Sequence, residues 1–533
     1  MIDNLNWTAT AVFVVFFAAV TVLGFVAARW MAADLDQMHE WGLGGRRFGA
    51  WITWFLLGGD LYTAYTVIAV PALVYAVGAF GFFAVPYTIL IYPLVYVTMP
   101  RLWAVSRRKG YVTAADFVHG RYGDAWLALA VALTGILATM PYIALQLVGM
   151  EKVIEALGFH GEGYLAHLPL TVAFVILALY TYKSGLRAPA MIAFVKDAMI
   201  YIFVIAAVIV VPIQLGGYSA IFAAAGKVYD AKIAAGAAAS PPVAVAAGLT
   251  LTPGQIGPFI TLAIGSAMAL FMYPHSLTGV LAASSGGAIR RNAISLPAYS
   301  LVLGLIALMG YMAHAAGIVV KNPQDAVPQL LLKMFPAWFA GFSFAAIAIG
   351  ALVPAAVMSI GAANTFTRNV WKPFVNPAIT DQQEATLAKV ASLIVKIGAL
   401  LAIFFMPTQF ALDLQLLGGV WMIQIFPAMI FGLYTRWFSG PTLLIGWAIG
   451  MVLATGLSWG AKAWTPVHGL AWDIPVIGHV DLGLGFAAYN GIVAVIVNVA
   501  VAAVLSAVWK SSAVDQTQAK DYADDPDVAR ATG

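Results

Sequence analysis

Residues 58–66 read GGDLYTAYT and set one carboxylate, Asp60, inside an otherwise apolar run, with Thr63, Thr66 and Pro71 after it. Residues 265–279, GSAMALFMYPHSLTG, set Gly265, Ser266, Tyr273, Pro274, His275 and Gly279 in a second such run. Glycine pairs and prolines interrupt helices and free backbone N–H and C=O groups. Freed carbonyls, hydroxyls and a lone carboxylate suit the holding of a cation or proton beside a small polar solute. Bond-making chemistry is not visible. The sequence offers no Ser/His/Asp, His/Glu metal or paired-carboxylate grouping, and no Walker A motif. Zero cysteines exclude thiol catalysis, disulfides and cysteine-held metals, and the eight histidines show no metal-ligand spacing. The expectation is a non-enzyme without cofactor or metal centre, save a coupling ion, H⁺ or Na⁺.

The elements that must position these residues follow from composition. The 533 residues are 62% hydrophobic and 9% charged, with a mean hydropathy of +0.90, far from the balance of a soluble domain. Apolar stretches of bilayer-crossing length, about 20 residues, recur throughout. The expected class is an all-α polytopic membrane protein of thirteen spans: roughly 7–31, 50–77, 79–106, 124–157, 166–182, 190–215, 256–285, 293–320, 338–366, 385–409, 411–434, 441–464 and 484–509. The first is read as a retained helix rather than a signal peptide. Alternate loops hold Arg46, Arg47, Arg101, Arg107, Arg108, Lys109, Arg121, Lys183, Arg187, Arg290, Arg291, Arg368, Lys372 and Arg436, and the tail adds Lys510, Lys520 and Arg530; the opposite loops hold only Lys227, Lys232, Lys321 and Lys333. This asymmetry puts the N-terminus outside and the C-terminus in the cytoplasm of a multi-pass membrane protein, and the location expected for it is the bacterial inner membrane. Residues 1–510 read as one transmembrane domain. Residues 216–255 read as an external loop with room for a short helix, and 511–533 as a disordered cytoplasmic tail too short for an output domain.

Setting the first span aside, the interrupted segments open two blocks of five, spans 2–6 and 7–11, with core repeats at about 50–215 and 256–434. Because five is odd, the second block enters from the opposite side. Matched broken helices in two such halves point to an inverted-repeat transporter with its site at the midplane. Glycine and proline are also generally commoner in membrane helices, which is the plainer explanation.

WGLGGRRFGAW (41–51), GGDLYTAYTVIAVPALVY (58–75), VTAADFVHGRYG (112–123) and AAVMSIGAANTFTRNVW (355–371) resemble the solute:sodium symporter family over nearly the whole chain. SGLRAPAMIAFVKDAMIY (184–201), MSIGAANTFTRN (358–369) and LDLQLLGGVW (412–421) are similar to its bacterial monocarboxylate permease branch. The resemblance implies a LeuT-type fold with broken second and seventh helices. It also implies a sodium site formed by the carbonyls of Gly58, Leu61 and Ala356 and the hydroxyl of Ser359. The chain departs from that pattern at Ile360, where a second hydroxyl is usual, and at Gly279, where the family carries an arginine. Asp60, ten residues into its span, lies about 15 Å deep. A carboxylate there is read as part of an ion or proton pathway, or else as a cap on the second half-helix. Lys196, with Asp197 on another face, and Lys396 read as side chains snorkelling to the interface. His314 is given no role.

Half-helix N-termini favour an anion. Tyr62, Thr63, Tyr65, Ser266, Tyr273 and His275 lie near the breaks, and Gln146, Gln415 and Trp421 face them from other spans. Gln424 is a further polar residue of the eleventh span. Each is alone more often a helix–helix contact than a ligand contact. The expected function is cation-coupled import of small monocarboxylates such as lactate, pyruvate or acetate by alternating access. The alternatives are an Na⁺-coupled amino-acid or other small-solute symporter, or a membrane sensor with a transporter-like fold. The expected partners are a small organic anion and the lipid bilayer, with no nucleic acid, in a monomer or weak homo-oligomer.

Overall fold

A computed structural model describes residues 5–31, 33–159, 167–405, 411–459, 471–474, 478–481, 487–509 and 513–523. The principal helices are α1 (Trp7–Val26), α2 (Ala50–Gly59), α3 (Val70–Val77), α4 (Ala84–Lys109), α5 (Ala125–Ala156), α6 (Leu168–Ser184), α7 (Arg187–Gln214), α8 (Tyr218–Ala238), α9 (Pro253–Leu270), α10 (Pro274–Leu281), α11 (Pro297–Ala315), α12 (Ala337–Phe366), α13 (Asp381–Phe405), α14 (Ala411–Met422), α15 (Gly440–Trp459) and α16 (Asn490–Val508). Short helices punctuate the connections, and one antiparallel pair of four-residue strands, Ala471–Ile474 with Gly478–Asp481, precedes α16. Among the described residues ten helices are long and apolar enough to cross a membrane, with shorter apolar helices at Ala50–Gly59, Tyr65–Val77 and Leu168–Ser184. Length and composition alone therefore do not return the expected count of thirteen, partly because one span is divided.

That division has a local cause. Gly58-Gly59 end α2, the chain unwinds over residues 60–63, and helix resumes at Ala64 through a π-turn at Tyr65–Ala69 into α3, whose second residue is Pro71. The freed groups find side chains, as backbone buried from water requires. Thr66 Oγ1 accepts from Thr63 N at 2.9 Å and donates to Thr63 O at 2.9 Å; Thr63 Oγ1 accepts from Tyr65 N at 3.1 Å. From α5, Gln146 Oε1 accepts from Ala64 N at 2.9 Å. The second break spans residues 271–273, between α9 and α10, and α10 starts on Pro274.

The two broken segments bind each other reciprocally at both ends. Ahead of α2, Phe48 N donates to Ala282 O at 3.2 Å, and Phe48 O accepts from Ser284 N at 2.8 Å just beyond α10. After α3, Ala79 N donates to Gly248 O at 2.8 Å, ahead of α9, and Gly248 N donates to Val77 O at 3.2 Å. Each segment's beginning meets the other's end, so they run in opposite senses.

The scaffold around them is α12, whose most apolar window is wholly buried and which packs on α1, α5, α7 and α13. Its contact with the second break is backbone to backbone: a Cβ at Gly361 would stand 2.8 Å from Pro274 C and 2.9 Å from His275 N. At the first break α5 approaches as closely, with Gly149 against the Cβ of Ala64.

Residues 216–255 contain α8, which packs on α11. Part of the tail read as disordered is folded. Asp515 Oδ2 pairs with Arg121 Nη1 at 3.1 Å and with Arg436, and Asp521 Oδ2 pairs with Lys109 Nζ at 3.3 Å. Burial alone would raise the Asp521 carboxyl, but the Gln518 backbone N–H and Lys109 outweigh it and hold it below its ordinary value. The basic residues that mark these loops thus also supply partners for an acidic tail. Residues 510–512 and 524–533 lie outside the described residues.

Candidate functional site

The unwound segment presents two sides, and the candidate residues divide between them. On one side Asp60 faces the other break. Its Oδ2 lies 3.4 Å from His275 Nε2 and 3.4 Å from Ser276 Oγ, while Asp60 Oδ1 and His275 Nδ1 have no hydrogen-bond partner. The His275 ring is 1% exposed and packs on Tyr142 and Tyr273 at centroid distances of 5.5 and 5.2 Å. Asp60 does not cap the second half-helix, since Thr63, Thr66 and Gln146 already meet the freed N–H groups there. Its carboxylate is left to His275 and Ser276, across the gap between the two broken helices.

On the other side stands a residue the sequence led us to place elsewhere. Lys196, expected to snorkel to the interface, is 0% exposed. Its Nζ donates to Gly59 O and, at 3.2 Å, to Tyr62 O, both in or beside the break, and lies 3.1 Å from Asp197 Oδ1. Asp197 and Lys196 do form an ion pair, contrary to the sequence reading, since both side chains are buried at the same break. Asp197 Oδ2 accepts from Tyr299 OH at 2.6 Å, and Tyr62 OH donates to Tyr299 O at 3.1 Å. Lys396 is likewise buried rather than snorkelling, and its Nζ donates to Ser392 Oγ at 2.7 Å.

The expected sodium donors are partly engaged already. Gly58 O accepts from Leu61 N at 2.9 Å. Ser359 Oγ donates to Ala356 O at 2.8 Å and accepts from Ser392 Oγ at 3.3 Å, at the end of a chain that starts at Lys396. Ile360 is buried in an aliphatic cluster with Leu56, Leu281 and Val357. Lys196 Nζ meets the carbonyls of Gly59 and Tyr62, each one residue further along than those expected to face sodium.

Of the expected substrate residues, Tyr65, Ser266, Tyr273 and Gln415 line one cavity of about 20 Å³, together with Tyr87, Tyr142 and Tyr489. This is room for a single water molecule, so any solute has to open the space. Tyr273 OH and Gln415 Oε1 point no hydrogen bond at any partner. His275 adjoins this group through Tyr142 and Tyr273. The other candidates are engaged elsewhere: Tyr62 on Tyr299, Thr63 and Gln146 in the break's own hydrogen bonds, and Trp421 Nε1 on Thr455 Oγ1 at 3.0 Å, toward α15. Gln424 serves as a helix–helix bond, donating to Val420 O and Gly491 O. His314, given no role, holds Tyr75 O at 2.7 Å. Tyr87, Tyr142 and Tyr489 were missed. Tyr87 and Tyr142 each follow a proline, but no spacing distinguishes these three from the other tyrosines of the chain.

Gln146 supports a direct test. Gln146→Leu removes the acceptor for Ala64 N and should cost about 1–3 kcal/mol, the penalty of an unpaired buried donor. Thermal unfolding in detergent should show the loss, and an unchanged unfolding temperature would mean that Ala64 N finds another acceptor.

The description "Sodium:solute symporter family" matches residues 41–469. The monocarboxylate transport permease protein of Rhizobium johnstonii is 57% identical over 514 residues, covering 96% of this chain and 99% of that one. The uncharacterized symporter YodF of Bacillus subtilis is 34% identical over 84% of this chain and 87% of its own length. Among solved structures, a Na⁺-coupled sialic acid symporter in a substrate-bound outward-open state superposes with a TM-score of 0.75 at 14% identity, covering 94% of this chain and 98% of that one. The fold is thus LeuT-type, with the two interrupted helices at its centre, and the chain belongs to the sodium:solute symporter family.

Proposed function

We propose that the chain imports short monocarboxylates, lactate, pyruvate or acetate among them, by cation-coupled alternating access. The substrate class is carried by one observation, the 57% identity to a monocarboxylate permease over almost the full length of both chains. The chemistry of the lining is compatible with it: tyrosine hydroxyls, Ser266 and Gln415 surround a space that a small solute would have to widen, and would hold it by a few hydroxyls and an amide. In this reading Tyr65, Tyr87, Tyr142, Ser266, Tyr273 and Gln415 face the substrate, and Asp60 with His275 and Ser276 links it to the coupling cation. Family membership points to sodium as that ion, and the reading leaves the proton in competition with it. The segments 50–215 and 256–434 act as the moving repeats, with the N-terminus outside, the C-terminus and its docked tail in the cytoplasm, and a monomer sufficient for transport.

The test is uptake of labelled lactate into proteoliposomes against a panel of unlabelled competitors. Lactate, pyruvate and acetate should inhibit, and proline and alanine should not. Inhibition by the amino acids alone would move the protein to the amino-acid branch of its family. Absence of both uptake and exchange would favour a sensor.

A further inference from the structure

We infer that the coupling cation is carried by the protein itself: the Lys196 ammonium fills the carbonyl cradle of the first break, and transport is driven by a proton that this amine takes up on one side and releases on the other. The inference rests on the reading of the chain as a coupled symporter and names its ion.

Geometry carries the argument. The last carbonyls of a helix lack intrahelical partners and bear partial negative charge, which makes a broken helix a seat for a cation. A hard metal ion needs a shell of about five or six oxygens, by analogy with calcium and magnesium sites. An ammonium needs three acceptors. Lys196 Nζ donates to two carbonyls, Gly59 O and Tyr62 O, and stands 3.1 Å from the Asp197 Oδ1 charge that pairs it. The closeness is built in, because a Cβ at Gly59 would stand 2.9 Å from Nζ. Meanwhile the residues a sodium ion would use are spent or altered: Ser359 Oγ is turned onto Ala356 O, and Ile360 offers no oxygen.

The charged and titratable surroundings also fit an exchangeable proton. Asp197 lies on the same helix, Asp60 on the break itself, and Tyr62, Tyr201 and Tyr299 surround Asp197. The helices α1 and α12, which also pack on α7, contain no titratable residue, and α6 turns Tyr180 toward Gly24 and Lys183 toward Phe25. Two further basic residues lie on elements packed against α7, Arg29 in the turn Ala27–Arg29 and His314 in α11, and the carboxylate that pairs Lys196 is Asp197. A buried ammonium persists only while its protons have acceptors. A rearrangement of the break that withdraws Gly59 O and Tyr62 O removes both hydrogen-bond acceptors, and the N–H bond then breaks with the proton passing to water on the open side and the electron pair staying on Nζ. Reprotonation from the opposite side restores the cradle.

The experiment uses the full chain in liposomes, with empty liposomes as baseline, and reads net uptake of labelled pyruvate and its one-for-one exchange. Wild type should accumulate pyruvate under an inward proton gradient in sodium-free buffer. Lys196→Met, which removes the amine, and Lys196→Arg, which keeps the charge but does not release its proton, should both lose proton-driven accumulation by at least about tenfold, the consequence of disabling a buried charge, while retaining exchange. A strict sodium requirement in wild type overturns the inference. So does full proton-driven accumulation in Lys196→Arg, or loss of exchange in both variants, which would make the lysine a structural strut. Failure of the substrate reading is separate: wild type would then show no pyruvate exchange at all.

Discussion

Asp60→Asn is expected to bring gradient-driven accumulation close to the level of empty liposomes while leaving substrate exchange measurable. The substitution preserves shape and removes one charge from a site where Asp60 Oδ2 sits 3.4 Å from both His275 Nε2 and Ser276 Oγ and near the Lys196 cradle. Disrupting a buried charge cluster by removing one partner costs about 3–5 kcal/mol, so an effect of roughly 100-fold or more on the coupled step is anticipated. Stability is not expected to fall in step, because the break's freed N–H groups are met by Thr63, Thr66 and Gln146 rather than by Asp60. Asp60→Asn protein that accumulates substrate as wild type does, at equal reconstitution, would remove this carboxylate from the coupling path.

Gly361→Leu should abolish transport by a different route. Gly361 lets α12 rest directly on the backbone of the second break, and an added Cβ would meet Pro274 C at 2.8 Å and Pro274 O at 3.0 Å. Neither contact is a flexible side chain that can turn aside. Overpacking a close interface costs about 1–3 kcal/mol for a methylene or two, and a full isobutyl group against backbone should exceed that range. The expected result is a lower unfolding temperature in detergent together with loss of exchange as well as accumulation. Gly361→Ala should show the same signs, smaller. Unchanged stability and transport in the leucine variant would mean that α12 and α10 separate there at little cost.

Much of this protein was legible from its residues. The membrane class follows from composition, since 62% apolar residues in repeated long runs leave no soluble alternative. The two breaks were legible because Gly58-Gly59, Pro71 and Pro274 act locally, on the chain's own hydrogen bonding. Asp60 was legible because a carboxylate is costly at that depth wherever it points. Family motifs added the fold, and the comparisons agree with it.

What the residues could not give by themselves is where long side chains end. A lysine stem spans several ångströms, so Lys196 could reach the interface, its own neighbour Asp197, or another helix 137 residues away in sequence at Gly59. Packing of α7 on α2 brings Gly59 O and Tyr62 O within reach of Nζ while the neighbouring Asp197 stays paired with it, so two of the three options are realised and the interface is not. The same holds for Gln146 and Trp421, polar groups whose partners, Ala64 N and Thr455, are set by how helices cross. The sequence alone determined that there are breaks, what elements surround them and that a charge lies within. Only the tertiary structure decided which charges meet there, because hydrogen bonds are satisfied by whatever lies within about 3 Å in space, and that distance is unrelated to separation along the chain.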